Sequence, residues 1–365
     1  MKEVRQFLHL FVSYKIHIKI KTIFISELPA SQLMTDKPDL ESIARTLRNY
    51  KGITRKHMIK DVVNFFPVNP EKIVRDFGED AAVIMENGRA LLLATDGIME
   101  SLIETDPFFA GYAAILVNVN DIAAMGGRPL AMVDVLSVSS RERCNRVLEG
   151  VKAGVEKFGV PLVGGHTHPD SRYDAIDIAI LGTVEPDSII YSDGAKPDDV
   201  IIVAVDTRGH LRTRFAWDST TSLTPGEVRA QIALMQELGE RKLVTAGKDI
   251  SNPGIAGTLG MLLEVSGVGG VLELDRIPVP EAKIDISHWL KVYQGFGFVL
   301  TASEDAAEEI IPMFKKVGVE AAIAGLVTKE RKLILSSGKN MPSSGGECVE
   351  LFDFEKEGIT GIRKY

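Results

Sequence analysis

A helical run beginning near Pro107 and stopped by Gly126-Gly127 and Pro129 carries one carboxylate near its end, Asp121, in the block Val117-Asn118-Val119-Asn120-Asp121-Ile122-Ala123-Ala124-Met125-Gly126-Gly127-Arg128-Pro129. A charge held against an apolar helix is expensive unless a cation or a donor compensates it. The helix dipole makes this end partly negative, which disfavours an anion there by a few tenths to about 1 kcal/mol. A positive group is therefore expected beside Asp121. Two shorter stretches, Gly78-Glu79-Asp80-Ala81-Ala82 and Ala94-Thr95-Asp96-Gly97, also set a carboxylate against apolar segments. Taken singly, Asp80 and Asp96 read as ordinary turn caps. Together with Asp121 they suit hard divalent cations, since Mg²⁺ is often held by only one or two carboxylates plus substrate phosphates. Three acidic sites fit a metal-bridged triphosphate.

The 365 residues suffice for two domains of ordinary size, each with its own core. A net charge of −8 argues against a general binder of nucleic acid or membrane surfaces. Only Cys144 and Cys348 are present, far apart, so no disulfide framework is expected and a reducing cytoplasm fits. The apolar stretch from Phe7 to Ser26 is interrupted by Lys15, His17, Lys19 and Lys21, which makes it a poor membrane span and a poor signal peptide. Residues 1–33 are expected to be an extension without a functional role.

Local signals give the element order. Asp39 caps a short helix to Tyr50, and Asn87-Gly88 joins strands at Ala81–Met85 and Ala90–Thr95 in a hairpin. Helix 108–125 and strand 130–138 follow. Ser139 with Glu142 then reads as a capping box for a helix to Phe158, and Ala175–Val184 as a strand. The polar segment Asp193–Asp199 marks a boundary. Beyond it come strand Val200–Val205, a helix opened by Thr224-Pro225-Gly226-Glu227, helix 254–266, strand 295–301, helix 304–316 and strand 321–327. Ser336 to Gly346 reads as a flexible loop. The pattern predicts an α+β, mixed α/β chain, divided into a first domain over 34–187, a second over 196–335 and a tail over 336–365. Neither the G-x-x-x-x-G-K-S/T loop nor a G-x-G-x-x-G turn after a strand is present, so a nucleotide would need another cradle.

In the order G-E-D-A-A, T-D-G, V-N-x-N-D-I-A-A-M-G-G-R-P, G-G-x-T and D-I-S-N-P-G, residues 40 to 335 resemble the aminoimidazole ribonucleotide (AIR) synthase superfamily. Gly52-Ile53-Thr54-Arg55-Lys56 and the segment Phe352–Ile359 are similar to its methanogenesis marker 2 branch. The resemblance implies a two-domain PurM-like fold, ATP and Mg²⁺ in a cleft between the domains, and first domains of two subunits paired into a barrel. By motif position it implies Asp80, Asp96, Asp121 and Asp249 as metal ligands. Gly78, Thr95, Asn118, Gly164, Gly165, Thr167 and Ser251 would then surround the nucleotide, with His166 as a catalytic group near phosphate.

The chain departs from its relatives at two acids. His166 stands where thiamine-monophosphate kinase has the Asp of Gly-Gly-Asp-Thr, and Asn252 where that kinase has the Asp of Ser-Asp-Gly. On an extended segment His166 and His168 share a face, which suits either a transition-metal or proton-donor role or a plain loop pair. The implied activity is phosphorylation or activation of an oxygen or amide oxygen on a small metabolite, with thiamine-monophosphate kinase-like chemistry as the runner-up. A nucleotide-binding regulatory or assembly protein without turnover is the alternative. No nucleic-acid or membrane partner is expected, and a homodimer is.

Overall fold

The computed structural model describes residues 39–66, 73–75, 77–282, 284–338 and 347–362; the expected N-terminal extension and most of the expected flexible loop lie outside the described residues. Three helices open the chain: α1 (Leu40–Arg48), α2 (Lys51–Thr54) and α3 (Ile59–Phe65), with a 3-10 turn over Arg55–Met58. Asp39 caps α1 by accepting from the Ser42 N–H at 3.3 Å.

The first sheet is built from β1 (Ile73–Arg75), β2 (Ala82–Glu86), β3 (Arg89–Gly97), β4 (Arg128–Ser137), β5 (Leu162–His168) and β6 (Ala175–Val184), in the order β1-β2-β3-β6-β4-β5. Asn87 and Gly88 take φ of 51° and 76°, the left-handed values that the two-residue β2–β3 turn requires. After α4 (Glu100–Thr105), α5 (Pro107–Ala124) starts from Asp106, whose carboxylate accepts from the Phe109 N–H at 3.0 Å, with Pro107 at the first helical position. By length and composition α5 could cross a membrane, but it is a buried core helix. α6 (Arg141–Phe158) connects β4 to the parallel β5. Its cap differs from the expected Ser139–Glu142 box. Ser140 is the N-cap, its hydroxyl accepting from the Arg143 N–H at 3.3 Å, while the Ser139 N–H and hydroxyl donate to the buried Asp174 carboxylate at 2.8 and 3.0 Å and are thereby taken from a box with Glu142.

The second sheet runs β10-β12-β7-β13-β11-β14-β15, using β7 (Val200–Val205), β10 (Ala246–Asp249), β11 (Gly269–Glu273), β12 (Gly297–Ala302), β13 (Glu320–Thr328), β14 (Lys332–Ser337) and β15 (Glu347–Asp353). Strands β8 (His210–Leu211) and β9 (Trp217–Asp218) pair separately. Helices α7 (Pro225–Glu240), α8 (Gly254–Ser266), α9 (Ile286–Trp289) and α10 (Glu304–Lys316) complete the fold. The Thr224–Glu227 capping box that opens α7 is formed as read, with Thr224 N–H to Glu227 at 2.8 Å and Glu227 N–H to the Thr224 hydroxyl at 3.3 Å.

β7 is buried on both faces and shows how the layers stack. Ile202 and Ala204 face a core shared with the first sheet, α5, α6, α7 and α10, whereas Ile201 and Val203 face a second core with α1 and α8. Two expected boundaries change accordingly. α1, assigned to the first domain, buries Leu40, Ile43, Ala44 and Leu47 in the second core. The segment expected as a tail contributes β15, which pairs antiparallel with β14 at the sheet edge. Amphipathic spacing shows that a helix has an apolar face without showing which sheet receives it.

Candidate functional site

Asp80 lies in the turn before β2, Asp121 in the last turn of α5 and Asp249 at the end of β10. Their carboxylate oxygens come within 4.8 Å of one another. The cluster holds one cation of the chain itself, beside Asp80 rather than beside Asp121. Lys248, 3% exposed on β10, donates to the Asp80 carboxylate, to the Gly78 carbonyl at 3.2 Å and to the Ser192 hydroxyl at 3.2 Å. The Asp249 N–H also reaches Asp80, at 3.4 Å. Burial, and then the neighbouring carboxylates, hold Asp121 and Asp249 well above the usual carboxylate range. One ammonium serves mainly Asp80, so Asp121 and Asp249 keep room for a further cation.

These acids line a cavity of about 550 Å³, within the range of ligand-binding pockets. Of the residues expected from the sequence, Gly78, Asp80, Thr95, Asp96, Asp121, Asp249 and Ser251 line it. Asn118 lies beneath the cavity surface and is fully buried: its Oδ1 accepts from the Asp96 N–H at 3.1 Å and its Nδ2 donates to the Ala114 carbonyl at 2.8 Å. It positions Asp96. Gly164, Gly165, His166 and Thr167 are not brought to the cavity within one chain. They are exposed residues of β5, the edge strand opposite β1, and the His166 and His168 rings meet edge to face at 4.6 Å. Motif order had grouped them with the acids; strand order separates them.

The model of the AIR synthase related protein N-terminal domain matches residues 78–184, and that of the C-terminal domain matches residues 196–337. The chain belongs to the AIR synthase related family. An uncharacterized protein of Methanocaldococcus jannaschii is 48% identical over 330 residues, 88% of this chain and 99% of that one. Among solved structures, Thermotoga maritima PurL complexed with ADP superposes with a TM-score of 0.71 at 19% identity, covering 86% of this chain and 51% of that one. This family member thus spans about half of the PurL chain. AaThiL complexed with AMPPCP and TMP superposes with a TM-score of 0.58 at 20% identity, over 76% of this chain and 92% of that one. The two-domain PurM-like architecture is shared by all three folds.

Several cavity residues of this AIR synthase relative escaped the sequence reading. Lys248 adjoins Asp249 in a buried strand; two adjacent charges there were the available signal. Asp177 lines the cavity from β6, a lone charge in an otherwise apolar strand. Arg55 and Lys56 enter from before the first sheet, and Thr360 and Ile362 from the far end of the chain. Gln294 also lines the cavity, with φ of 76° and a buried Oε1 that has no hydrogen-bond partner among the described residues. Glu79, beside Asp80, accepts from the Ser192 N–H at 2.7 Å and ties the acidic turn to the interdomain segment.

Proposed function

We propose that this chain binds ATP together with Mg²⁺ and phosphorylates, or activates through the γ-phosphate, an oxygen or amide oxygen of a small metabolite. The convergence of Asp80, Asp121 and Asp249 in a ligand-sized cavity carries this reading, and their hard oxygen donors fit Mg²⁺. When bound, the ion would neutralise phosphate charge. Asp121 and Asp249, with Asp96 from the end of β3, would hold it. Lys248 fixes Asp80, and Asn118 fixes Asp96, so the acids are oriented before a ligand arrives. The nucleotide complexes of PurL and AaThiL support a nucleotide in this cavity. Calorimetry of ATP with and without Mg²⁺ tests the reading: affinity is expected only with Mg²⁺, and equal affinity in both would refute it.

A second reading, nucleotide binding without turnover, is favoured by one observation. Asn252 stands where a kinase acid is expected and donates to the Met99 sulfur at 3.4 Å, leaving no carboxylate there. An ATPase assay across a panel of metabolites separates the two readings, since turnover stimulated by any one compound excludes the second.

We also propose that two first domains pair. On the first sheet, Leu93, Val133, Val135, Val163 and Leu181 are exposed, Val163 to 65%, and among the described residues no strand pairs with the outer edge of β5. His166 aligns with Val135 across the β4–β5 register and so shares this uncovered face; pairing would carry it toward a neighbouring subunit. Light scattering is expected to give a dimer mass, and Val133→Asp a monomer with an unchanged far-ultraviolet dichroism spectrum. A wild-type monomer at micromolar concentration would contradict this.

A further inference from the structure

The cavity has a cationic wall that the metal-binding reading does not use. Arg55 and Lys56 occupy the 3-10 turn after α2 and line the same cavity as Asp80, Asp121 and Asp249. Unlike Lys248, which is committed to Asp80, neither head group makes a hydrogen bond or an ion pair among the described residues. Yet Lys56 is half-buried, close enough to Asp96 and Asp249 to feel both. A partly desolvated ammonium without a partner is costly, and here the backbone holds it in place. Ile53 is 1% exposed in the second core, and a Cβ on Gly52 would lie 2.3 Å from the Asn252 carbonyl oxygen and 2.4 Å from the Tyr50 ring. The sequence Gly52-Ile53-Thr54-Arg55-Lys56 therefore has a divided purpose. Gly52 allows close approach to the Asn252 loop, Ile53 anchors the turn, and the last two residues are presented to the cavity.

We propose that Arg55 and Lys56 bind the terminal phosphoryl group of the nucleotide, a role that rests on the ATP-binding reading above. A guanidinium offers a planar fork matching two phosphate oxygens, and an ammonium a compact charge for a third. The carboxylates hold the metal side of the polyphosphate, so these cations take the oxygens that the metal leaves free. A phosphoryl group between the two walls would give Arg55 and Lys56 the acceptor oxygens they lack.

The test is calorimetry on the full chain with Mg²⁺-ATP and Mg²⁺-ADP as separate probes, for wild type, Arg55→Ala, Lys56→Met and Lys56→Arg. Lys56→Met is expected to weaken Mg²⁺-ATP by about tenfold or more, the size of one lost charge-assisted hydrogen bond, and Mg²⁺-ADP by less than about twofold. Arg55→Ala is expected to act in the same direction, and Lys56→Arg to retain most of the affinity. Melting temperatures of the ligand-free variants should not fall below the wild-type value, because neither head group has a hydrogen-bond partner among the described residues to lose, and Lys56→Met removes a desolvated charge. Equal losses for ATP and ADP, or none for either, would overturn the assignment while leaving a metal-bridged nucleotide standing. A wild-type chain that binds neither nucleotide would remove both ideas.

Discussion

Asp121→Asn is expected to raise the melting temperature of the metal-free protein and to abolish the further rise produced by Mg²⁺ with ATP. Three carboxylates within 4.8 Å repel one another, and Lys248 serves mainly Asp80. An amide of the same volume removes one charge, and a metal-free gain of about 1–2 kcal/mol is reasonable for relief of that size. The pH dependence has a definite sign. Asp121 and Asp249 titrate above their ordinary 3.8 in the folded chain, so between 3.8 and the raised values the folded state binds more protons than the unfolded one. Their contribution is fully present below about pH 4 and is lost as pH rises through the raised values. A bound cation requires the deprotonated acids, so Mg²⁺ should stabilise wild type more at pH 8 than at pH 5. Thermal unfolding across that range, with and without Mg²⁺-ATP, is the measurement. An Asn variant that keeps the full ligand-induced shift would exclude Asp121 as a ligand.

The parts of this fold legible in the sequence are those governed by near neighbours. The Asn87-Gly88 turn, the Thr224–Glu227 cap and the stop of α5 at Gly126 each depend on contacts a few residues apart, and each is found as read. Asp121 was legible for the same reason, since an acid in the last turn of an apolar helix is conspicuous locally. The cation wall was not. Lys56 and Asp121 are remote in sequence, and only the seating of α2 against the Asn252 loop brings them to one cavity. The converse holds for His166, which motif order groups with the acids. The motifs before and after it line the cavity, but among the described residues β5 pairs only with β4, and within one chain that register carries His166 to the exposed edge. Pairing order is a global property, so a linear string of motifs does not encode which ones meet.

Glu264→Ala is expected to give the largest loss of stability of any single change proposed for this chain. Glu264 is 2% exposed on α8 and accepts from the N–H groups of Ile359, Thr360 and Gly361 at 3.1, 2.8 and 3.0 Å, and from the Thr360 hydroxyl at 2.9 Å. Gly358 makes room for it, since a Cβ there would lie 1.7 Å from the carboxylate. Alanine would leave these donors buried and unpaired, at about 1–3 kcal/mol each if nothing moved. The C-terminal segment can instead detach, which caps the loss near the value of its docking, about 3 kcal/mol. Detachment also reaches the cavity, because Thr360 and Ile362 line it, so affinity for Mg²⁺-ATP should fall together with the melting temperature. Docking predicts strong non-additivity. A chain ending at Glu357 should lose about as much stability as Glu264→Ala, and combining the two should cost little more than truncation alone, because the partners act as one unit. Denaturant unfolding of the four proteins measures this coupling, and additive losses would show that Glu264 stabilises α8 by some route other than the C-terminal segment.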